Sequence, residues 1–159
     1  MKHHLSELKK EYEKYRKKYN LPSFSDLNQE FEIEKLQEKE TEFLLREIRR
    51  AISDKIAAFL RFFELFLNPQ AAPVFILAVI KTLNNKDKII IEKIYHDLVN
   101  FELTSITLDI DYNEKKEAEF IKQIFKKWHT LKGELKEFSK IIDRMKTKDK
   151  QKSRKSYFG

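Results

Sequence analysis

An apolar pattern runs from about residue 42 to residue 67 and predicts a long α-helix. Its apolar residues recur at spacings of three or four, which is the spacing of one helix face. They are Leu45, Ile48, Ile52, Ile56, Phe59, Phe63 and Phe66. A second apolar set lies beside them toward the C-terminal end, so this helix requires neighbours on more than one side. We expect the other elements to pack around it.

The most regular pattern belongs to the last helix, predicted from 114 to about 146 with Asn113 as its N-cap. Its apolar positions alternate steps of three and four over more than three heptads. They are Ile121, Ile124, Trp128, Leu131, Leu135, Phe138, Ile142 and Met145. Such a seam indicates a partner helix along its length. We expect that partner to be helix 42–67 in an antiparallel pair, with a second subunit as the alternative.

Shorter helices are predicted before and between these two. Apolar residues at helical spacing mark residues 5–19, and Ser23 is placed to cap a helix that ends near Phe31. A short hairpin helix, 72–83, is apolar on nearly every side, so we expect it to be the deepest part of the core. The next helix begins at Asn84 or Asn85 and buries Ile90, Ile91, Ile94, Leu98 and Phe101.

The segment 104–112 gives an ambiguous signal. Apolar and polar residues alternate here, as in a half-buried strand. No second segment shows this pattern, however, and a lone strand leaves its backbone groups unpaired. A continued helix or an extended connection is therefore favoured over a strand, and pairing with the same segment of a second copy stays open.

Few helix breakers interrupt these patterns, since the 159 residues include only two glycines and three prolines. The fold class predicted is therefore all-α: a single-domain antiparallel bundle of about five helices. It comprises residues 1–146, and residues 147–159 form a basic, flexible tail. No apolar stretch reaches the roughly 20 residues that cross a bilayer, and no secretory signal is recognisable. We expect a cytoplasmic protein without a membrane span.

Charge is distributed unevenly along the chain, whose net charge is +7. Residues 1–20 hold seven basic and three acidic side chains, whereas residues 21–48 hold three basic and eight acidic ones. Residues 146–159 hold six basic side chains against one acid, Asp149. Oppositely charged surfaces of this kind steer macromolecular partners.

No motif for catalysis, a cofactor or a metal is found, and we predict none of these sites. The absence of cysteine excludes disulfides, thiolate catalysis and cysteine-ligated metals. Two glycines are too few for a phosphate-binding loop, and the Glu-x-x-His motif of di-iron bundles does not occur. His96 and His129 are each a single histidine on a polar helix face, which favours a surface role.

Two charged groups are interpreted structurally. Asp109 and Asp111 lack the glycine and the final glutamate of a calcium loop, so they indicate a turn before the last helix. Basic and acidic residues alternate along the first half of helix 42–67, which is typical of a solvent-exposed face with ion pairs. The basic residues are Arg46, Arg49, Arg50 and Lys55.

The basic tail is the strongest functional signal. Its cations could neutralise the phosphates of a nucleic acid or bind an acidic partner, without sequence specificity. The candidate residues are Lys146, Lys148, Lys150, Lys152, Arg154 and Lys155. The alternative is that the tail only keeps the protein in solution.

Three stretches of the chain resemble a family of small, uncharacterised all-helical proteins of archaea. They are LPSFSDLNQEFEIEK, LLREIRRAISDKIAAFLRFFELFLNPQ and DYNEKKEAEFIKQIFKKW. The resemblance implies an archaeal, cytosolic protein and carries over no functional residues. It also implies that the LNQEFEIEK segment and the turn at Asn68 are features of the family.

The sequence therefore favours a non-enzymatic helical adaptor that binds a macromolecular partner. The alternative is an RNA- or ribosome-associated accessory protein that uses the basic tail. Self-association through the heptad seam is a further possibility, and the patterns leave monomer or homodimer undecided.

Overall fold

The computed structural model describes the backbone of residues 2–157, and the side chains of residues 4–148, 150, 151 and 154. Within this part of the chain every regular element is helical, so the predicted all-α fold is confirmed. The α-helices are α1 (Lys2–Tyr19), α2 (Phe24–Phe31), α3 (Leu44–Leu67), α4 (Val74–Ile80), α5 (Asn85–Ile110) and α6 (Glu114–Tyr157). Short 3-10 helices at Ile33–Glu38 and Pro69–Ala71 precede and follow α3.

Side-chain caps fix the starts of three helices where the sequence predicts them. The hydroxyl of Ser23 accepts a hydrogen bond from the backbone N–H of Asp26 at 3.1 Å. The amide oxygen of Asn113 accepts one from the N–H three residues later at 3.0 Å. At the start of α5, Asn84 and Asp87 accept each other's backbone N–H at 2.9 and 3.1 Å. Each cap satisfies backbone donors that the first helical turn leaves free.

The ambiguous segment 104–112 is helical as far as Ile110, where α5 ends. The buried positions Ile91, Ile94 and Leu98 continue, after the half-buried Phe101, into Ser105 and Leu108. These steps of three and four are those of one helix face, and they override the local alternation.

The chain divides into two compact units. Unit 1 comprises residues 1–58 and 99–128, and unit 2 comprises residues 59–98 and 129–159. In unit 1 the core is mainly aliphatic, with four aromatic members, Tyr12, Phe31, Phe120 and Trp128. Its fully buried residues include Tyr12, Leu27, Ile33, Leu45, Ile48, Ile52, Ile121, Ile124 and Trp128.

Aromatic rings form the centre of unit 2. Phe63 is 1% exposed, and its ring lies 4.8 Å from that of Phe138, with Phe62 and Phe66 in contact with both. Most of these rings meet edge to face, the arrangement that the charge distribution of an aromatic ring favours.

The short apolar helix is not the deepest part of the core, and that prediction is wrong. It is shorter than predicted, and only Ile76 and Val79 on α4 are buried. Val74 and Phe75 are 83% and 66% exposed. A helix of seven residues has only two turns, so it can press one narrow face against its neighbours.

The seam of α6 packs against α3 of the same chain, but the two helices run in the same direction rather than antiparallel. In unit 1, residues further along α3 contact residues closer to the C-terminus of α6. In contrast, residues further along α3 contact residues closer to the N-terminus of α5. The contacting pairs are Arg49 with Glu117, Lys55 with Trp128, Arg50 with Asp109, and Ser53 with Ser105. The antiparallel neighbour of both helices is therefore α5, which returns the chain between them.

Helix α6 continues to Tyr157, so the basic segment predicted as a tail is helical over residues 147–157. Its flexibility stays a prediction. Among the described helices, none is both long enough and apolar enough to cross a membrane.

We expect Gly133→Ala to stabilise the protein by about 0.5–1 kcal/mol, because glycine within a helix loses more backbone entropy on folding than alanine. Gly133 lies within α6, and an added Cβ would meet no atom within 4 Å. Urea denaturation would measure the gain. A lower unfolding midpoint in the alanine variant would contradict this prediction.

Candidate functional site

In each of three helices of unit 1, a polar residue occupies a position on the buried face, where the spacing of the other residues predicts an apolar side chain. Arg49 lies four residues after Leu45, Ser105 lies four after Phe101, and Glu117 lies four before Ile121. All three polar side chains are buried, with exposures of 0%, 4% and 0%. They form one polar layer in the mainly apolar core of unit 1.

Arg49 is the centre of this layer, and each of its guanidinium nitrogens has an acceptor. Its Nε and Nη2 donate to the two carboxylate oxygens of Glu117 at 2.5 and 3.3 Å. Its Nη1 donates to the hydroxyl and the carbonyl oxygen of Ser105 at 2.8 and 3.1 Å. Nη2 also donates to Asp109 at 2.6 Å. Such complete pairing is what permits a charged side chain to be fully buried.

Two further arginines surround the layer. Arg46 Nε lies 3.7 Å from Glu117, and its guanidinium lies 4.9 Å from the centre of the Tyr112 ring. Arg50 donates to Asp109 and Glu47, each at 3.3 Å. The network joins three guanidinium groups to three carboxylates. They are Arg46, Arg49, Arg50, Glu47, Asp109 and Glu117. Lys39 adds a fourth cation through its pair with Glu47.

This pairing decides what the network can do. Each described cation of the network has a carboxylate partner within the chain, so the network holds the helices of unit 1 together. Burial acts to lower the pKa of Arg49, but the hydrogen bonds that it donates to Asp109 and Glu117 outweigh burial, and the pKa lies above its ordinary value. Arg49 therefore stays charged, and its hydrogen bonds link α3 to α5 and α6.

The interpretation of Arg46, Arg49, Arg50 and Lys55, with the acids between them, as one solvent face is wrong for Arg49 and for Glu47. Both side chains are buried. A signal was available in the sequence, because Arg49 fits the alternating steps of four and three from Leu45 to Ile52. The charged neighbours at 46, 47 and 50 obscured it. Asp109, expected in a turn, lies in the last turn of α5 and pairs with Arg49.

We expect Asp109→Asn to destabilise the protein at neutral pH and to have little effect in acid. Hydrogen bonds from Arg49 hold the pKa of Asp109 below its ordinary value. A carboxyl whose pKa is lower when folded stabilises the fold above its unfolded pKa of about 3.9. That contribution is lost as pH falls through the folded pKa.

The urea midpoints of the wild-type protein and the Asp109→Asn variant, measured between pH 7 and about pH 2, would check this prediction. The difference between the two midpoints should disappear in acid. A gap that stays constant would show that the charge of Asp109 does not matter.

A second polar contact in unit 1 involves Lys55. Its Nζ lies 5.1 Å from the centre of the Trp128 ring and 5.6 Å from that of Phe31, and it donates to the carbonyl of Glu30 at 2.5 Å. The carboxylate of Glu30 accepts a hydrogen bond from the indole N–H of Trp128 at 2.7 Å. These groups bind each other, so they too act within the fold.

One groove in unit 1 carries an excess of negative charge. It has a volume of about 920 Å³ and lies between α1 and the segment that precedes α3. Leu8, Leu36 and Leu44 provide its apolar part, and Lys39, its lysine, pairs with Glu47. Its acidic residues are Glu7, Glu11, Glu38, Glu40 and Glu42. The groove complements a cationic segment.

In unit 2 the C-terminal part of α6 carries the opposite charge. Lys146, Lys148, Lys150 and Arg154 are exposed, and none forms an ion pair with a described carboxylate. Lys146, Lys150 and Arg154 are spaced by four residues, so they share one helix face. The side chains of the other two candidates, Lys152 and Lys155, lie outside the described part of the chain.

The histidines of the sequence analysis are on the surface, since His96 and His129 are both exposed. Among the described residues, no group of three or more His, Asp or Glu side chains is arranged to hold a metal ion.

Comparisons with protein-family models, with curated proteins and with solved structures found no match. The resemblance to small helical proteins of archaea stays a prediction. We therefore infer function from the chain's own contacts and charges.

Proposed function

We propose that the protein is a non-enzymatic helical adaptor that binds macromolecular partners through two oppositely charged surfaces. The first is the acidic groove of unit 1. The second is the cationic face of α6, formed by Lys146, Lys150 and Arg154. The observation that carries the proposal is that Glu11, Glu38, Glu40 and Glu42 of the groove, and the three cations of the α6 face, form no ion pair with a described residue. The carboxylates of the buried network, in contrast, are all paired. Uncompensated exposed charge accelerates association with a partner of opposite sign.

The acidic groove favours a basic protein segment as one partner. Five glutamates line it, and leucine side chains offer apolar contact to the methylene stems of lysine or arginine. A lysine-rich peptide labelled with a fluorophore is a suitable probe. We expect it to bind at low salt and to dissociate as salt screens the charges.

We expect the triple variant Glu38→Gln, Glu40→Gln and Glu42→Gln to weaken peptide binding about ten-fold or more, because it removes three of the five groove carboxylates. The same change at three exposed acids elsewhere, Glu34, Glu92 and Asp143 (to Asn), is the matched control. Equal losses in the two triple variants would show that only net charge matters. No peptide binding at low salt would reject the groove as a binding surface.

RNA binding is the second candidate function, and it is favoured by the cations of α6 that pair with no described carboxylate. Each cation that contacts a phosphate releases a counterion, so RNA affinity should fall steeply as salt increases. Homopolymer RNA is the probe here, because phosphate contacts carry no sequence information.

Charge reversal at Lys146, Lys150 and Arg154 should abolish RNA binding if this candidate is correct. The control reverses three exposed lysines of the same unit, Lys81, Lys86 and Lys88. If wild-type protein does not bind RNA at low salt, the RNA candidate is rejected. Peptide binding in the groove would still be open to its own test.

A further inference from the structure

We propose that the exposed face of α5 in unit 1 is a self-association surface that takes a second copy of this chain. Leu103, Ile106 and Ile110 lie on this face at spacings of three and four residues. Their exposures are 57%, 51% and 76%, although all three are large and apolar. Single exposed apolar residues are ordinary, but a contiguous stripe marks an interaction site.

The stripe also lacks charge, which sets it apart from the rest of the surface. Charged residues make up 37% of the chain. Residues 103–110, which contain the stripe, include one, Asp109, and it pairs with Arg49 and Arg50. The polar neighbours of the stripe are Thr104 and Thr107. Exclusion of charged side chains from an exposed helix face is typical of an interface core.

A groove lies directly beside the stripe, on the same surface. It has a volume of about 480 Å³, and Leu108 and Phe120 provide apolar walls between α5 and α6. Thr104, Thr107 and Ile110 belong to its lining, so the stripe meets the groove at Ile110. A two-fold symmetric pair of chains requires a surface of this kind, because the ridge of each copy must enter a groove of the other.

The charges at the groove also favour a second copy over a strongly charged partner. Asp111 and Lys116 lie on its lining, and neither forms an ion pair with a described residue. Glu119, the third charged residue there, accepts a hydrogen bond from Gln123 and lies 4.0 Å from Lys122. Because these two groups have opposite signs, they can form ion pairs with the same groups of a second copy. In a two-fold symmetric dimer, Lys116 of each chain would pair with Asp111 of the other.

This surface is separate from the heptad seam of α6. The seam residues Ile121, Ile124 and Trp128 are buried within the chain and are not accessible to a second copy.

Sedimentation equilibrium over a range of protein concentrations tests the proposal. Wild-type protein should reach a dimer, and Ile106→Glu or Ile110→Glu should raise the dimer dissociation constant about 30-fold or more. Ile89→Glu is the matched control, because Ile89 lies on the same helix, is 64% exposed and belongs to unit 2. Circular dichroism would verify that all variants are folded.

The charged pair allows a sharper test. Lys116→Asp and Asp111→Lys should each weaken the dimer, and the two changes together should restore it, because the pair is then reversed.

Three results would overturn the proposal. One is a wild-type monomer at every concentration. Another is a dimer that neither glutamate variant weakens, which would place the interface elsewhere. The last is a monomer whose α5 face binds a different protein, which would give the surface another occupant.

Discussion

Arg49→Met is expected to lower the free energy of unfolding by about 3–5 kcal/mol, one of the largest effects of any single substitution in this chain. The methionine fills most of the space of the arginine side chain but removes its charge. Glu117, which is fully buried, is left with Arg46 at 3.7 Å as its nearest cation. A buried carboxylate that loses its hydrogen-bonded partner retains the full cost of desolvation. Urea denaturation at pH 7 would measure the difference.

The double variant Arg49→Met, Glu117→Leu separates this explanation from a simple packing defect. It removes both buried charges, so we expect it to recover most of the lost stability or exceed the wild type. Ser105 retains the hydroxyl of Ser53 as a hydrogen-bond partner. A double variant that is less stable than either single variant would contradict the expectation.

Arg50→Met is the control, since Arg50 binds the same Asp109 but is 47% exposed. Solvent screens such an ion pair, so we expect the Arg50→Met variant to lose less than about 1 kcal/mol of its free energy of unfolding. A loss equal to that of Arg49→Met would show that burial does not decide the effect.

Phe63→Asp is expected to unfold the protein. The ring of Phe63 is 1% exposed and contacts three other phenylalanine rings, so even the alanine variant should lose about 3–5 kcal/mol. Aspartate adds a buried charge without a partner to that loss. Together these terms approach or exceed the total stability of a typical domain, about 5–15 kcal/mol.

Circular dichroism and thermal unfolding would test this. Phe75→Asp is the matched control, because Phe75 is 66% exposed and its replacement should leave the fold intact. A folded Phe63→Asp variant that had lost only a binding activity would show that the ring cluster serves function rather than stability.

Helix positions could be predicted from the sequence because they follow from local physical chemistry. The spacing of apolar residues gave α3 and α6, and the caps at Ser23, Asn84 and Asn113 gave helix starts. Each of these signals acts within a few residues of the chain. The basic candidates at 146–155 were also evident, because net charge is visible without a fold.

The role of Arg49 could not be predicted in the same way. Its neighbours on the chain are charged, and local sequence cannot distinguish an exposed arginine from one that meets Glu117 across the core. The same limit applies to Val74 and Phe75, whose apolar character suggested burial. Whether an apolar residue is buried depends on which surface lies opposite, and here none does.

The sequence by itself determined that the chain is helical, where most helices begin, and which segments carry excess charge. Tertiary structure decided that α3 and α6 run in the same direction, that Arg49, Ser105 and Glu117 form a neutral layer, and that one face of α5 is exposed. The physical reason is the distance along the chain over which each interaction acts. Helix formation depends on apolar spacing and caps within a few residues. Burial and charge pairing depend on groups far apart in the chain, such as Arg49 and Glu117, which are separated by 68 residues.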